Sequence, residues 1–375
     1  MVQFDDGEWL RALEGEVGPV PDGLSTRRGF IGRAAGAFAA LSGGSVLLAA
    51  CGGSDSATGG STAGSSSSGA GAKSATIVNI LPPQLGYVAE YIADIDGMYK
   101  KQGVSVKVET ARGSAPAIQA VLSGTALMCR CGRLESLIAI ADRGAPIHAV
   151  AFTTRRSPLA IVSDKKAPLA KPADLKGKRI GIPSEGGTSE TTLDLLIASS
   201  GLTTRDVPRQ VTGFTPGTFQ LVKKGRLAGF IIGATQMQQF RQAVPDATFM
   251  PTYNFVNDGE NYIASAKGLQ ENKDTIVPYL TAVKSAMQQV IADKESGYAD
   301  TLKKLRAKYD FPELKNDTVA KSWIDFLVTS WTKDGEDQIL KTNPQEWKAT
   351  YDAAVKIKAA KGGVDVEKNL SPPLV

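Results

Sequence analysis

One histidine and three cysteines in 375 residues leave little material for metal or nucleophilic chemistry. A structural or catalytic zinc site draws on several cysteine, histidine and carboxylate ligands at short spacings. Here His148 stands alone and there is no second cysteine pair, so neither a metal nor an organic cofactor is expected. His148 opens the apolar segment 149–152 and reads as a structural strand residue. A bridge between Cys129 and Cys131 would be strained, so they read as small buried hydrophobes or free thiols. No long run of one charge occurs. The basic residues are scattered and lack interleaved aromatics, which argues against nucleic acid as a partner. No repeat of solenoid type is present. A permanent membrane span needs ~20 strongly apolar residues; the one candidate, 30–50, consists mostly of small residues and is broken by Arg33.

What is present begins with three segments of unlike composition. Residues 1–24 are polar with an acidic excess. Arg27 and Arg28 then precede the weakly apolar run, the layout of a cleaved export signal. From 52 to about 75 the chain is almost all Gly, Ser, Ala and Thr. Such a segment buries too little to fold and behaves as a flexible coil. The order Arg27-Arg28-Gly29-Phe30 resembles a twin-arginine signal; an ordinary Sec signal is the alternative. Leu48-Ala49-Ala50-Cys51 resembles the lipobox of bacterial lipoproteins. That resemblance implies acylation of Cys51, and two or more acyl chains give stable membrane anchoring. The expected division is an export signal over 1–50 and a lipidated cysteine with its linker over 51–75. Four of the 43 basic and six of the 38 acidic residues lie in 1–50, so the mature chain carries +7. A mild positive balance is compatible with an anionic ligand.

The folded part is long enough for two domains of ordinary size. Strand-like stretches at 76–81, 104–109, 127–131, 148–153 and 160–163 alternate with helical patterns at 86–101, 115–123 and 134–143. This is βαβ periodicity and predicts an α/β fold with mostly parallel sheets. The pattern then restarts, with strands at 178–182, 209–211 and 229–232 and helices at 188–200 and 215–224. After a strand at 262–265 the chain is predicted helical over 275–294, 297–309, 316–332 and 344–360. Residues 76–155 with 255–375 are therefore expected to form one lobe and 156–254 a second. Gly124 and Gly225 stand at equivalent helix–strand junctions, where glycine is the expected helix C-terminal cap.

Several ordered pieces resemble the solute-binding proteins for nitrate, sulfonates, taurine and pyrimidine precursors of thiamine. They are Gly86-Tyr87 with the run 95–104, then Ala120-Val121-Leu122-Ser123-Gly124, the run 140–147 and the run 174–183. The resemblance covers about residues 76–300. It implies a two-lobe type II periplasmic-binding-protein fold, a small ligand held in the cleft, a monomer, and a membrane permease with its ATPase as partners. The family usually carries an aspartate shortly after each junction glycine; Leu127 and Ala228 stand at about those places. An enzyme resembling thiamine-pyrimidine synthases, or a sensory lipoprotein with a degenerate cleft, is the alternative.

In open parallel sheets ligands lie beyond the carboxyl ends of strands, where helix N-termini direct free N–H groups at them. Loops predicted there supply Gln84 and Tyr87, Gly113 and Ser114, and Arg133 and Glu135. In the inserted unit they supply Ser184, Gly187, Thr188 and Ser189, together with Phe214, Thr235, Gln236 and Tyr253. Gly187-Thr188-Ser189 suits an acidic group held by amides and hydroxyls, with Arg133 as counter-charge. Tyr87, Phe214 and Tyr253 could stack on a ring. The expected ligand is an organic anion: a sulfonate, a carboxylate, or an aromatic or heteroaromatic acid. Hinges are expected near 153–159 and 253–261.

Overall fold

The computed structural model describes residues 72–375 apart from 112, 184–187, 234–235 and 257–258. The predicted export signal, Cys51 and most of the linker lie outside these residues. Four strands precede the first crossover: β1 (Lys73–Asn79), β2 (Val104–Thr110), β3 (Met128–Gly132) and β4 (Ile147–Phe152). Then come β5 (Leu159–Asp164), β6 (Ile180–Ile182), β7 (Arg209–Val211), β8 (Gly229–Gly233), β9 (Ala247–Pro251) and β10 (Glu260–Ser265).

They form two sheets, ordered β2-β1-β3-β10-β4 and β7-β6-β8-β5-β9. In the first, β1 pairs in parallel with β2 and β3, and β10 lies antiparallel between β3 and β4. In the second, β6 pairs in parallel with β7 and β8, and β5 lies antiparallel between β8 and β9. Both sheets thus share one plan, in which a single strand opposes the rest. That strand is in each case the one by which the chain crosses between sheets. The parallel expectation holds for the other strands, which are linked by helical crossovers as parallel strands require.

The helices are α1 (Val88–Ile95), α2 (Met98–Lys101), α3 (Ser114–Leu122), α4 (Arg133–Arg143), α5 (Thr188–Ser199), α6 (Phe219–Lys223) and α7 (Met237–Ala243). The helical C-terminal end comprises α8 (Ala266–Glu271), α9 (Lys273–Ala292), α10 (Ala299–Lys308), α11 (Asp317–Trp331) and α12 (Pro344–Lys356). The single helix predicted over 86–101 is broken at Gly97, whose φ of 65° is left-handed and which glycine adopts without a Cβ penalty. Asn316 and Asn343 start α11 and α12 by accepting the amides of Val319 and Glu346, each at 3.1 Å, the usual role of an N-cap side chain.

Apolar burial explains the layers. Ile77, Val88, Ile92, Tyr279 and Val283 fill one face of the first sheet. Phe219, Phe230, Ile232 and Phe240 fill one face of the second. A third cluster joins the remaining faces, from Val78, Leu134 and Ile147 through Trp347 to Ile180, Leu193 and Leu196. Cys129 and Cys131 are free and belong to this cluster, and burial pushes the Cys129 thiol up. The junction glycines Gly124 and Gly225 have φ of 77° and 67°. Three residues on, the amides of Leu127 and Ala228 donate to Thr76 and Arg179 carbonyls, both at 2.9 Å. The two departures from the aspartate pattern are therefore structurally equivalent positions, each opening a parallel pairing.

Candidate functional site

The carboxyl ends of the parallel strands converge on the crossovers in both sheets. In the first sheet, Gly132 at the end of β3 faces Glu260 of β10. In the second, Gly233 at the end of β8 faces Leu159 of β5. The carboxyl ends of β1, β3, β6 and β8 therefore lie at the same end of their sheets as the two joining segments, 153–158 and 252–259, the latter described apart from 257–258.

These segments are tightly packed. The amides of Thr153 and Arg133 donate to Glu260 and Gly259 carbonyls at 2.9 and 2.8 Å, and the Glu260 amide donates to Thr154 Oγ1 at 2.9 Å. Ser330 Oγ accepts from the amides of Arg155 and Arg156 at 2.8 and 3.1 Å. Arg155 donates to Glu346 at 2.8 Å and to the Gln338 and Lys341 carbonyls at 2.9 and 2.7 Å. Thr252 Oγ1 donates to Leu159 O at 2.9 Å and lies 3.0 Å from Ser157 Oγ. The C-terminal region thus holds the first crossover, to which the second is bonded in turn.

Of the residues expected to meet an anion, Arg133 has a different setting. Its side chain has no exposed surface. The guanidinium lies 3.9 Å from the centre of the Phe152 ring, 3.4 Å from Glu346 and 3.3 Å from the Thr154 carbonyl. The expected counter-charge of the cleft is here a cation of the crossover core. The reason is local: Arg133 is the first residue of α4, directly beneath β10, and its own amide is already held by Gly259. Glu135 folds back over Gly132, so close that a Cβ on Gly132 would stand 1.8 Å from its Oε2. A carboxylate in the first turn favours the positive helix end, so α4 carries its own anion there.

Ser114 opens α3 and is nearly buried; its Oγ accepts the Gly132 amide at 3.3 Å. Gly113 before it has φ of 99°, which favours glycine. Gln84 is half-buried in the loop after β1, and its amide donates to Tyr91 Oη at 3.2 Å. Tyr87 is buried instead of facing the cleft: its hydroxyl accepts the Leu81 amide at 3.2 Å, and burial pushes its pKa above the ordinary tyrosine range. Phe214, after β7, is 44% exposed. Gln236 Oε1 accepts the Gly233 amide at 2.9 Å, and Ser189 is half-buried on α5. Ser184, Gly187 and Thr235 lie outside the described residues, as does the side chain of Thr188.

Three features were not foreseen. First, α11 packs against both the 85–87 turn and α7, so a C-terminal helix touches elements that follow β1 and β8. Its Trp323 lies beside Gly86, and its Phe326 ring is 5.8 Å from that of Tyr253. Second, the Arg156 guanidinium sits 5.1 Å over the Tyr253 ring. Trp323, Phe326 and Tyr253 are all half-buried. The only signal in the sequence was the spacing of 323 and 326, which puts both on one helix face. Third, Arg130 of β3 lies in the core, donating to Gly86 O at 3.0 Å, Glu90 at 2.8 Å and Glu260 at 2.8 Å. Burial alone would lower its pKa, but Glu260 and Glu90 together raise it. Glu260, at the crossover, keeps 19% of its side chain exposed. Among the described residues, no group of His, Cys, Asp and Glu is arranged to hold a metal ion.

Two sheets of one plan, exchanged antiparallel strands and strand ends converging on the crossovers define the type II periplasmic-binding-protein class. Residues 85–296 match the family model described as NMT1/THI5 like, and the chain belongs to that family. It is 24% identical over 221 residues to the riboflavin-binding protein RibY of Chloroflexus aurantiacus, across 58% of this chain and 62% of that protein. The match thus spans less than two thirds of that relative's length. The fold is similar to that of the periplasmic aliphatic sulphonate binding protein SsuA from Escherichia coli (TM-score 0.61, 16% identity, 79% of this chain and 97% of that one). It is also similar to the desulfurization enzyme DSZB (TM-score 0.53, 12% identity, 80% and 97%).

Proposed function

We propose that this chain is the extracytoplasmic ligand-capture subunit of an ABC importer, anchored through lipid on Cys51. Its ligand would be a small organic anion bearing an aromatic or heteroaromatic ring, held between the lobes 76–155 with 255–375 and 156–254. A permease with its ATPase would receive that ligand. The carrying observation is the half-buried aromatic group of Trp323, Phe326 and Tyr253, set where the carboxyl ends of both sheets meet. Arg156 lies over Tyr253 and adds positive charge beside a ring-binding surface. Similarity to a riboflavin-binding protein supports a planar ring.

Ligand bridging two lobes would favour the closed arrangement by its differential affinity, with 153–159 and 253–261 bending. A binding role fits the reactive groups better than an enzyme on the same fold. Cys129 and Cys131 lie in the core, and His148 is on β4 opposite Ala264. Calorimetry and thermal shift against riboflavin, aromatic carboxylates, alkanesulfonates, taurine and aminopyrimidines test the reading. A response to at least one ring-bearing anion is expected; silence from all of them would overturn it.

A further inference from the structure

The charge of the mature chain is unevenly placed. Residues 156–254 hold 13 basic and 7 acidic residues, a surplus of six in a mature total of +7. Much of it collects at the amino ends of β6 and β8, the end of the second sheet away from the crossovers. There an open groove of about 1080 Å³ is lined by Lys166, Lys178, Arg179 and Arg226 together with Asp164 and Asp174. All four basic residues are exposed.

The acids of this end are already engaged. Lys223 pairs with Asp164 at 2.9 Å and Asp246 at 2.6 Å. Asp174 accepts the amides of Ala170 and Lys171 at 2.9 and 3.0 Å, and Asp206 accepts the Thr203 amide at 2.7 Å. Among the described residues, no acidic side chain stands within ion-pair reach of Lys166, Lys178, Arg179 or Arg226. Among the described residues, the four cations thus form no salt bridge, although Lys166 lies near Asp164, whose carboxylate it helps hold low.

We propose that this basic end of the second sheet rests on an anionic phospholipid surface. The four cations sit with Ala167, Pro168, Gly177 and Gly225, not with the aromatic anchors that mark protein interfaces. Flexible exposed cations without such anchors suit a laterally uniform field of phosphate headgroups, as juxtamembrane basic clusters do. Cys51 stands 22 residues before Lys73, which opens β1 at the amino end of the first sheet. A lipid anchor at Cys51 would keep the folded unit close to a membrane surface. The membrane as source rests on the Cys51 anchor proposed above; the groove itself does not.

The test uses the unlipidated unit Ser67–Val375, a compact unit that contains both sheets and all three apolar clusters. Co-sedimentation is measured with vesicles of phosphatidylcholine alone and of equal parts phosphatidylcholine and phosphatidylglycerol. Binding to the anionic vesicles only is expected, weakening with salt because exposed charges are screened. The variant Lys166→Glu, Lys178→Glu, Arg179→Glu, Arg226→Glu should bind at least about tenfold more weakly. The milder pair Lys166→Gln and Arg226→Gln should fall between, with unchanged melting temperature. A control reversing Lys100, Lys101, Lys303 and Lys321 to Glu should retain binding. Equal loss in that control, no binding by the unaltered unit, or displacement by polyglutamate at far lower charge concentration than by anionic vesicles would overturn the proposal. Because no cleft ligand is involved, failure here leaves the capture reading intact.

Discussion

Gly259 lies against the backbone of Thr154: a Cβ at Gly259 would stand 2.1 Å from the Thr154 carbonyl oxygen. The two crossovers between the sheets therefore touch main chain to main chain, with no room for a side chain. Gly259→Ala must push them apart. A loss of about 1–3 kcal/mol is expected, the usual cost of overpacking a buried site. Chemical denaturation measures it; an unchanged midpoint would show that the crossovers separate freely.

Arg133→Ala should act on stability before it acts on any ligand. It removes a fully buried cation from Glu346 and Phe152. Breaking a buried pair typically costs ~3–5 kcal/mol; here the loss should fall at the lower end, because Arg155 and Lys333 also reach Glu346. Melting without ligand decides. An unaltered melting temperature with weakened anion binding would return Arg133 to the ligand site.

Trp323→Ala should weaken a ring-bearing ligand by roughly two- to thirteenfold, the ~0.5–1.5 kcal/mol of an aromatic pair. Calorimetry gives the affinity, and tryptophan fluorescence should respond to ligand in the unaltered chain. Trp331→Phe serves as control, since Trp331 is buried in the core. Equal affinities for both variants and the parent would exclude a ring on α11.

His148 is the chain's one histidine, so its titration can be assigned without ambiguity. Burial lowers its pKa below the ordinary 6.5. As pH falls through 6.5 the unfolded chain takes up a proton that the folded chain still refuses, so stability falls with pH until the folded imidazole also protonates. His148→Gln should flatten that part of the melting-temperature profile. An identical slope in the variant would show that the imidazole is not the source.

Cys51→Ser should leave a chain that a high-salt wash releases from the membrane, because no acyl chain could then be attached and exposed charges are screened by salt. Fractionation of cells expressing each form, before and after that wash, reads the outcome. Retention of the variant on salt-washed membranes would exclude Cys51 as the principal anchor.

The linear sequence determined the α/β periodicity, the restart after residue 156 and the helical end. These rest on local patterns: buried runs such as 149–152, junction glycines at 124 and 225, and helix starts at Asn316 and Asn343. It also carried the ordered pieces from Gly86 to Pro183 that the family match over 85–296 bears out. Only tertiary structure decided which side chains meet. Strand exchange places Glu260 beside Arg130 across 130 residues of chain, and packing of α11 brings Phe326 to Tyr253 from 73 residues away. Periodicity reports which face of an element is buried, not what lies against it. That is why Arg133 read as a cleft cation and stands in the crossover core, while no local pattern could set Trp323 beside Gly86 or Phe326 beside Tyr253.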